Sequence, residues 1–266
     1  MAANDIYIDH GSNGNSGTEA VDLKVHKVTP AFKIPHDLAK DLIEKVVHTA
    51  NLKSAFRAVK RNKGAPGIDK RTICDVEAVL DDIIKELQSS IIDDKHTPSS
   101  VRGVQIPKAN GKTRLLGIPT VIDRMVQQAI VQILSPIFDP HFSDNSYGFR
   151  PKRSASGAIS KAKSYVKSGK SWVVDMDLEA FFDNVNHDIL MSMIARSISD
   201  KKLLKLIRSF LNAGMMQNGL VSKRDVGTPQ GGPLSPLLSN ILLHELDREL
   251  HLRDHSFVRS GLFRKR

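Results

Sequence analysis

The stretch Trp172-Val173-Val174-Asp175-Met176-Asp177-Leu178 has the composition of a β-strand and carries acidic side chains at its far end. β-Branched and aromatic residues are typical of strands, and Gly169 bounds the stretch upstream. Successive side chains of a strand point to opposite faces, so Asp175 and Asp177 share one face. The pattern predicts an otherwise buried strand from whose end two carboxylates emerge side by side.

Two carboxylates at the end of a buried strand are costly unless they meet a cation, a hydrogen-bond donor or water. Mg²⁺ prefers carboxylate oxygen, and two-metal phosphoryl transfer uses such ions to hold the attacking and leaving oxygens. Alternatively, Asp175 and Asp177 cap the turn that follows. The strand alone supports metal ligation and capping equally.

Outward from this strand, apolar residues recur every three or four positions, which is typical of amphipathic helices. A hairpin is predicted where two extended apolar runs flank Ala109-Asn110-Gly111. This mixture predicts an α+β fold, mostly helical with a small antiparallel sheet. The predicted helices cover roughly residues 35–59, 76–87, 122–135 (ended by Pro136), 155–166, 187–197, 201–212 and 238–250.

Composition narrows the function classes. The chain has 266 residues, 40% of them hydrophobic, and a net charge of +10, which favours either a polyanionic partner or solvated lysine faces. No apolar run approaches the ~18–20 residues of a membrane span, and the first thirty residues lack a secretory signal. The single cysteine, Cys74, excludes an internal disulfide and a cysteine-based zinc cluster, so a reducing compartment is predicted.

Two further segments can serve a ligand. Lys108 and Arg114 lie across the predicted Asn-Gly turn from each other, where they suit a triphosphate or remain solvated. The loop Gly227–Pro236 contains three glycines and three prolines, which permit close approach to a ligand and keep the loop stiff. Within it, Gln230 offers both a donor and an acceptor. Phe181 and Phe182, which follow the predicted strand, are more typical of a core than of a site.

These segments, in this order, resemble group II intron-encoded reverse transcriptase-maturases. The resemblance spans about residues 36–259 and implies a right-hand polymerase with fingers and an incomplete palm. The implied regions are a disordered tail at 1–34, fingers with N-terminal RNA-binding helices at 35–170, a partial palm at 171–259 and a basic tail at 260–266. The resembling motifs are residues 62–69, 106–119, 146–151, 175–183 and 227–236.

The resemblance also implies roles for individual residues. Asp177 matches the first catalytic aspartate and metal ligand; the backbone of Leu178 also faces the metal, and Asp175 is a weaker candidate ligand. Phe182 matches the aromatic residue that crowds the sugar 2′ position and selects deoxynucleotides. The remaining roles are triphosphate binding by Lys108 and Arg114, lining of the nucleotide pocket by Gln230 and Gly231, and RNA or template contact by Lys60, Arg61, Lys63, Arg150, Lys152 and Arg153.

The chain departs from the family pattern after Phe257-Val258-Arg259. There the family continues into a Tyr-Ala-Asp-Asp box, whereas this sequence continues as Ser260–Arg266. Two divalent ions need several carboxylate ligands, and one aspartate from one strand does not supply them. The Mg²⁺ site is therefore expected to be incomplete. We expect a truncated enzyme that is inactive alone and that needs a second polypeptide carrying the rest of the palm.

The expected partners are RNA, primer DNA and deoxynucleoside triphosphates, in the bacterial cytoplasm or an organellar matrix. The alternative function is that of a non-catalytic, maturase-like splicing helper that binds RNA. The hairpin and the Gln230 loop favour enzyme ancestry over this alternative. A general DNA-binding protein is disfavoured because the sequence has neither zinc-ligand spacing nor heptads beside a basic region.

Overall fold

The computed structural model describes residues 32, 34–35, 39–107, 113–178, 181–217, 220–222, 227–228 and 231–260. Most of the predicted N-terminal tail, Lys108, Gln230 and residues 261–266 lie outside this part of the chain. Within it, no helix has the length and hydropathy of a membrane span.

Helices form most of the described structure, as the apolar periodicity predicts. Two of the predicted helices, at 35–59 and 76–87, are each divided into two, at His48 and at Val79. Short 3-10 turns occur at Asp139–His141 and Phe181–Asp183. The helices are α1 (Leu42–Val47), α2 (Thr49–Arg61), α3 (Ile73–Ala78), α4 (Leu80–Ile92), α5 (Val121–Phe138), α6 (Ala155–Lys167), α7 (His187–Ala195), α8 (Lys201–Asn212) and α9 (Leu234–Leu252).

One small sheet accompanies the helices, with strand order β2-β1-β3-β4. The predicted hairpin is confirmed: β1 (Val101–Pro107) pairs antiparallel with β2 (Thr113–Ile118). The sequence did not indicate β3 (Met215–Gln217) and β4 (Leu220–Ser222), which pair antiparallel with each other. Because β3 runs parallel to β1, the sheet is mixed.

The core forms around α5, whose Val126, Ile130 and Leu134 are fully buried. One continuous cluster of buried side chains joins α1, α2 and α4 to α7, α8 and α9 through this helix. This cluster includes residues on both sides of residue 170, and the predicted boundary there between fingers and partial palm stays a prediction. Phe32, predicted to lie in a disordered tail, packs into the cluster and stacks on His244 with ring centroids 4.7 Å apart.

Polar side chains set where several helices begin. Thr72 and Asp75 form a reciprocal capping box at α3, and the Thr120 hydroxyl accepts from the backbone N–H of Asp123 at α5. The prediction that Pro136 ends α5 is wrong, because the helix continues to Phe138. A proline in the last turn removes a single backbone bond, and the full burial of Phe138 offsets that loss.

The prediction of a strand at Trp172–Leu178 is also wrong. Residues 171–178, here called the exposed segment, have no regular secondary structure and are all solvent-exposed. Trp172, the largest side chain of the segment, is 95% exposed. A strand forms only when its backbone N–H and C=O groups pair with a neighbour, and no described strand pairs with this segment.

Candidate functional site

Two of the predicted ligand-binding segments meet through their backbones. The N–H of Thr228 donates to the carbonyl of Phe182 at 2.6 Å, and the N–H of Gly227 donates to the carbonyl of Val185 at 2.8 Å. Buried His187 donates from Nε2 to the carbonyl of Gly227 at 2.6 Å, because a carbonyl oxygen can only accept. The start of the glycine- and proline-rich loop is therefore fixed beside Phe182.

Glycine is required at position 227 for two reasons. Its φ of +87° lies in a region that residues with a side chain rarely adopt. A Cβ atom at this position would also lie 2.8 Å from the carbonyl oxygen of Asp183. The close approach is what brings the loop against the turn at Phe181–Asp183. A larger residue at 227 would push these two segments apart.

Gly231 approaches the protein's own sheet. A Cβ atom at this position would lie 2.0 Å from the carbonyl oxygen of Gly117 on β2, and one at Gly232 would lie 2.3 Å from Oε1 of Gln127 on α5. The sequence predicted that this loop approaches a ligand closely. The space freed by these two glycines is filled by β2 and α5, so the loop is fixed between the hairpin and the core.

Phe182 lies in a small cluster of aromatic rings. Its ring meets that of Phe181 at 5.6 Å between centroids and that of Phe149 at 6.5 Å, both edge to face. Phe181 and Phe182 are partly buried, and Phe181 packs against the main core. Phe149 comes from a different part of the chain, the loop between the turn at Asp139–His141 and α6.

The predicted metal ligands are not assembled. Asp175, Asp177 and Leu178 all lie in the exposed segment. Carboxylate oxygens suit Mg²⁺, but the described residues contain no group of three or more His, Cys, Asp or Glu side chains that could hold a metal ion. These residues by themselves do not fit the two-metal centre that the resemblance implies.

The predicted triphosphate clamp is only partly described. Lys108 lies outside the described residues, and for Arg114 the structure gives the backbone, which pairs with Ile106 in the β1–β2 ladder. Gln230 also lies outside them. The assignments of these three residues stay predictions.

Arg150, predicted to contact RNA, instead holds its own loop together. Its Nε donates to Oδ1 of Asp139 at 2.8 Å, and its terminal nitrogens donate to the carbonyls of Ser143, Ser146 and Asp139. The side chain is 5% exposed. These bonds give Arg150 a structural role in its own loop, and its assignment as an RNA contact stays a prediction.

The other predicted RNA contacts lie at the surface. Lys60 forms an ion pair with Glu77, and Arg153 forms one with Asp144 while its guanidinium lies over the ring of Tyr147. Surface ion pairs of this kind are weak and can exchange for a phosphate. Exposed Arg61, Lys63 and Lys152 complete the set.

A buried charged pair fixes the loop that carries Phe149, and sequence reasoning missed it. Arg259 donates from Nε and from a terminal nitrogen to the two carboxylate oxygens of Asp247, both at 2.7 Å. The other terminal nitrogen of Arg259 donates to Asn240, whose amide in turn donates to the carbonyl of Gly148 at 2.9 Å. The only sequence signal was polar residues within the apolar pattern of α9.

Burial changes the ionisation of groups at the start of α5. It raises the pKa of Asp123 to about 6, against hydrogen bonds from Thr120 and Ser99 that act in the opposite direction. Burial lowers the pKa of Arg124, although Asp69 opposes this shift. Arg124 donates to the carbonyl of Ala65 at 2.8 Å, which ties the loop at 62–69 to α5.

The family described as reverse transcriptase (RNA-dependent DNA polymerase) matches residues 106–259, a span that includes the hairpin, Phe182, the Gly231 loop and Arg259. The chain belongs to this reverse transcriptase family. Its relatives place it with the group II intron-type reverse transcriptases and maturases.

Two curated relatives of this chain are protein YkfC of Escherichia coli K12 and the group II intron-encoded protein LtrA of Lactococcus lactis subsp. cremoris. YkfC is 39% identical over 208 residues, which cover 76% of this chain and 55% of YkfC. LtrA is 42% identical over 197 residues, which cover 73% of this chain and 32% of LtrA. The chain thus spans about half of one relative and about a third of the other.

The reverse transcriptase fold is also supported by a solved structure, described as a partial Cas6-RT-Cas1–Cas2 complex. The match has a TM-score of 0.55 at 23% sequence identity and covers 82% of this chain and 36% of the other. At this identity the likeness concerns the fold alone. It agrees with the predicted α+β architecture of fingers and partial palm.

Proposed function

We propose that this chain supplies the fingers and part of the palm of an RNA-directed DNA polymerase of the group II intron type. The observation that carries the proposal is the 2.6 Å hydrogen bond between Thr228 and Phe182. It joins the residue matched to sugar selection with the loop matched to the nucleotide pocket, while Gly231 seats that loop against β2. RNA template, primer DNA and deoxynucleoside triphosphates are the proposed substrates.

Within this proposal each group has a separate task. Lys108 and Arg114 hold the triphosphate, Phe182 crowds the sugar, and Gln230 with Gly231 lines the pocket. Asp177, helped by the backbone of Leu178 and by Asp175, contributes oxygen ligands to Mg²⁺. The remaining oxygen ligands must come from outside the described residues, because these contain no three-ligand group.

A second polypeptide carrying the rest of the palm is the proposed source of those ligands. The exposed segment supports this, because its apolar side chains and unpaired backbone offer an edge to which a strand can add. Adding that strand would bring new carboxylates beside Asp177. The proposed compartment is a reducing one, the bacterial cytoplasm or an organellar matrix.

Primer extension on an RNA template with Mg²⁺ and deoxynucleotides tests the proposal. The purified chain is assayed alone and together with the part of LtrA that follows its matched region, each with an Asp177→Ala control. We expect extension only in the mixture, and none from Asp177→Ala. Extension by the chain alone that Asp177→Ala abolishes would refute the need for a second polypeptide, and no extension in either sample would refute the polymerase function.

Docking can be followed without catalysis, because Trp172 is the single tryptophan and lies in the exposed segment. Burial of its indole by the second polypeptide should shift its fluorescence to shorter wavelength. Val174→Asp is the matched control: Val174 is exposed in the chain alone, so folding should be unchanged while docking is lost. An unchanged spectrum on mixing would mean that this segment is not the docking edge.

The alternative function, a non-catalytic helper that binds intron RNA, draws support from one observation. Asp175 and Asp177 are exposed and unassembled, whereas Arg61, Lys63 and Lys152 remain at the surface. This function predicts RNA retention that weakens steeply with salt and does not change in Asp177→Ala. Absence of retention at low salt would remove this alternative.

A further inference from the structure

Phe149 combines two unfavourable features. Its backbone φ of +54° lies in the left-handed region, which is a strained conformation for a bulky residue. Its side chain is also 58% exposed, although it is a large apolar ring. A glycine would relieve the strain and a polar residue would suit the exposure, so neither folding nor solubility accounts for phenylalanine here.

The backbone on both sides of Phe149 is held firmly by buried polar groups. On one side, the carbonyl of Gly148 accepts from Asn240 of α9 at 2.9 Å. On the other side, Arg150 is locked by its bonds to Asp139 and to nearby carbonyls. The surrounding structure therefore fixes the strained backbone conformation from which the Phe149 ring projects.

The Phe149 ring contacts the ring of Phe182. The two centroids lie 6.5 Å apart at an interplanar angle of 77°, an edge-to-face contact. Phe181 contacts the ring of Phe182 in the same geometry, and the Phe182 carbonyl is bonded to Thr228. Phe149 is the contact in this cluster that comes from a distant part of the chain.

We propose that Phe149 is a positioning residue that sets the orientation of the Phe182 ring and thereby sharpens the choice between deoxynucleotides and ribonucleotides. This inference rests on the proposed function, in which Phe182 crowds the sugar 2′ position. A ring that rejects one hydroxyl must not rotate away from it, and a fixed neighbouring ring restricts that rotation. The strain at Phe149 is then a consequence of placing this ring beside Phe182.

The first test measures the position of the ring without requiring catalysis. 4-Fluorophenylalanine is placed at position 182, and its ¹⁹F resonance is recorded in the otherwise unchanged chain and in Phe149→Gly, Phe149→Tyr and Val166→Ala. Val166 is the control because it is also 58% exposed. We expect Phe149→Gly to shift the resonance toward its position in the unfolded chain, and the other two variants to leave it unchanged.

Melting temperature separates positioning from a simple packing role. Because glycine adopts a φ of +54° without strain, Phe149→Gly should melt no lower than the wild-type chain. A ¹⁹F resonance that does not move in Phe149→Gly overturns the proposal. The proposal is also overturned if Phe149→Gly lowers the melting temperature and Val166→Ala shifts the ¹⁹F resonance equally. The resonance would then report a general loss of packing.

The second test measures sugar selection in the mixture that extends primers. Phe149→Gly should lower the ratio of kcat/KM for deoxynucleotides over ribonucleotides by roughly tenfold, and Phe149→Tyr should restore it. Equal loss with both nucleotides would overturn the proposal and make Phe149 a direct contact to substrate. If the wild-type mixture does not extend primers, the polymerase function fails, while the ¹⁹F result still decides whether Phe149 positions Phe182.

Discussion

The core around α5 and the exposed segment at 171–178 are both rich in apolar residues, but the apolar side chains are buried in the core and face solvent in the segment. Leu134 in α5 is fully buried, whereas Trp172 and Val174 are almost fully exposed. A helix satisfies its own backbone, so it needs only an apolar neighbour to be stable. A strand also needs a partner for its backbone, and the exposed segment has none among the described strands.

The same contrast holds for carboxylates. Asp247 is buried and paired with Arg259, and Asp123 is buried with hydrogen bonds from Thr120 and Ser99. Asp177 is solvated in the exposed segment. The two buried carboxylates are therefore expected to affect folding stability more than Asp177 does.

The largest expected effect follows from breaking the buried pair. Arg259→Ala leaves Asp247 buried without its cation and should lower the free energy of unfolding by about 3–5 kcal/mol. Urea denaturation followed by circular dichroism measures this. Arg253→Ala is the control, because it removes an exposed pair with Glu249 and should cost below about 1 kcal/mol. Equal losses in both variants would contradict the distinction.

A matched truncation in the two apolar regions should give the next largest difference. Leu134→Ala creates a cavity in the core and should cost about 2–5 kcal/mol. Val174→Ala in the exposed segment should change stability by less than about 0.5 kcal/mol. Thermal and urea unfolding of both variants test this, and a comparable loss from Val174→Ala would show that the segment is packed.

The third prediction concerns Asp123, whose pKa burial raises from 3.8 to about 6. Between these values the folded state binds more protons than the unfolded state, so this group's contribution to stability falls as pH rises. Asp123→Asn removes the ionisation and should gain at most about 3 kcal/mol over wild type between about pH 4 and pH 7. Urea unfolding across this pH range measures the difference.

His96 provides the opposing control for Asp123. Its Nε2 lies 4.0 Å from Oδ1 of Asp123, and burial lowers its pKa below 6.5. Below pH 6.5 the unfolded state then binds more protons, so the contribution of His96 to stability rises with pH. His96→Gln should flatten that rise. If both variants changed the slope in the same direction, the assignment of at least one pKa shift would be wrong.

The smallest of the four effects tests a helix cap. Asp200 accepts from the N–H of Leu203 at the start of α8 and from the N–H of Ile43 in α1. Asp200→Ala removes both bonds and should cost about 1–2 kcal/mol, whereas Asp200→Asn keeps one acceptor oxygen for the cap and should recover part of the loss. Thermal unfolding compares the two. A cost no larger for alanine than for asparagine would rule out capping as the main role of Asp200.

The sequence predicted most of the helices because a helix is a local structure. The helices α6, α7 and α8 lie within two residues of their predicted bounds, and the Asn-Gly turn predicted the β1–β2 hairpin. It missed β3 and β4, each three residues long, because strands so short carry too little periodicity to detect. It also misplaced the end of α5, where core packing of Phe138 outweighs the local effect of Pro136.

For the site, the sequence determined which residue types are present and in which order, and this was enough to identify the family. Tertiary structure decided which groups those residues contact. It showed that Arg150 locks a loop, that Gly231 faces β2, and that Phe149 reaches Phe182. Motif order is written in the chain, but the partner of a buried charge, an aromatic ring or a strand edge comes from distant residues that only folding brings together.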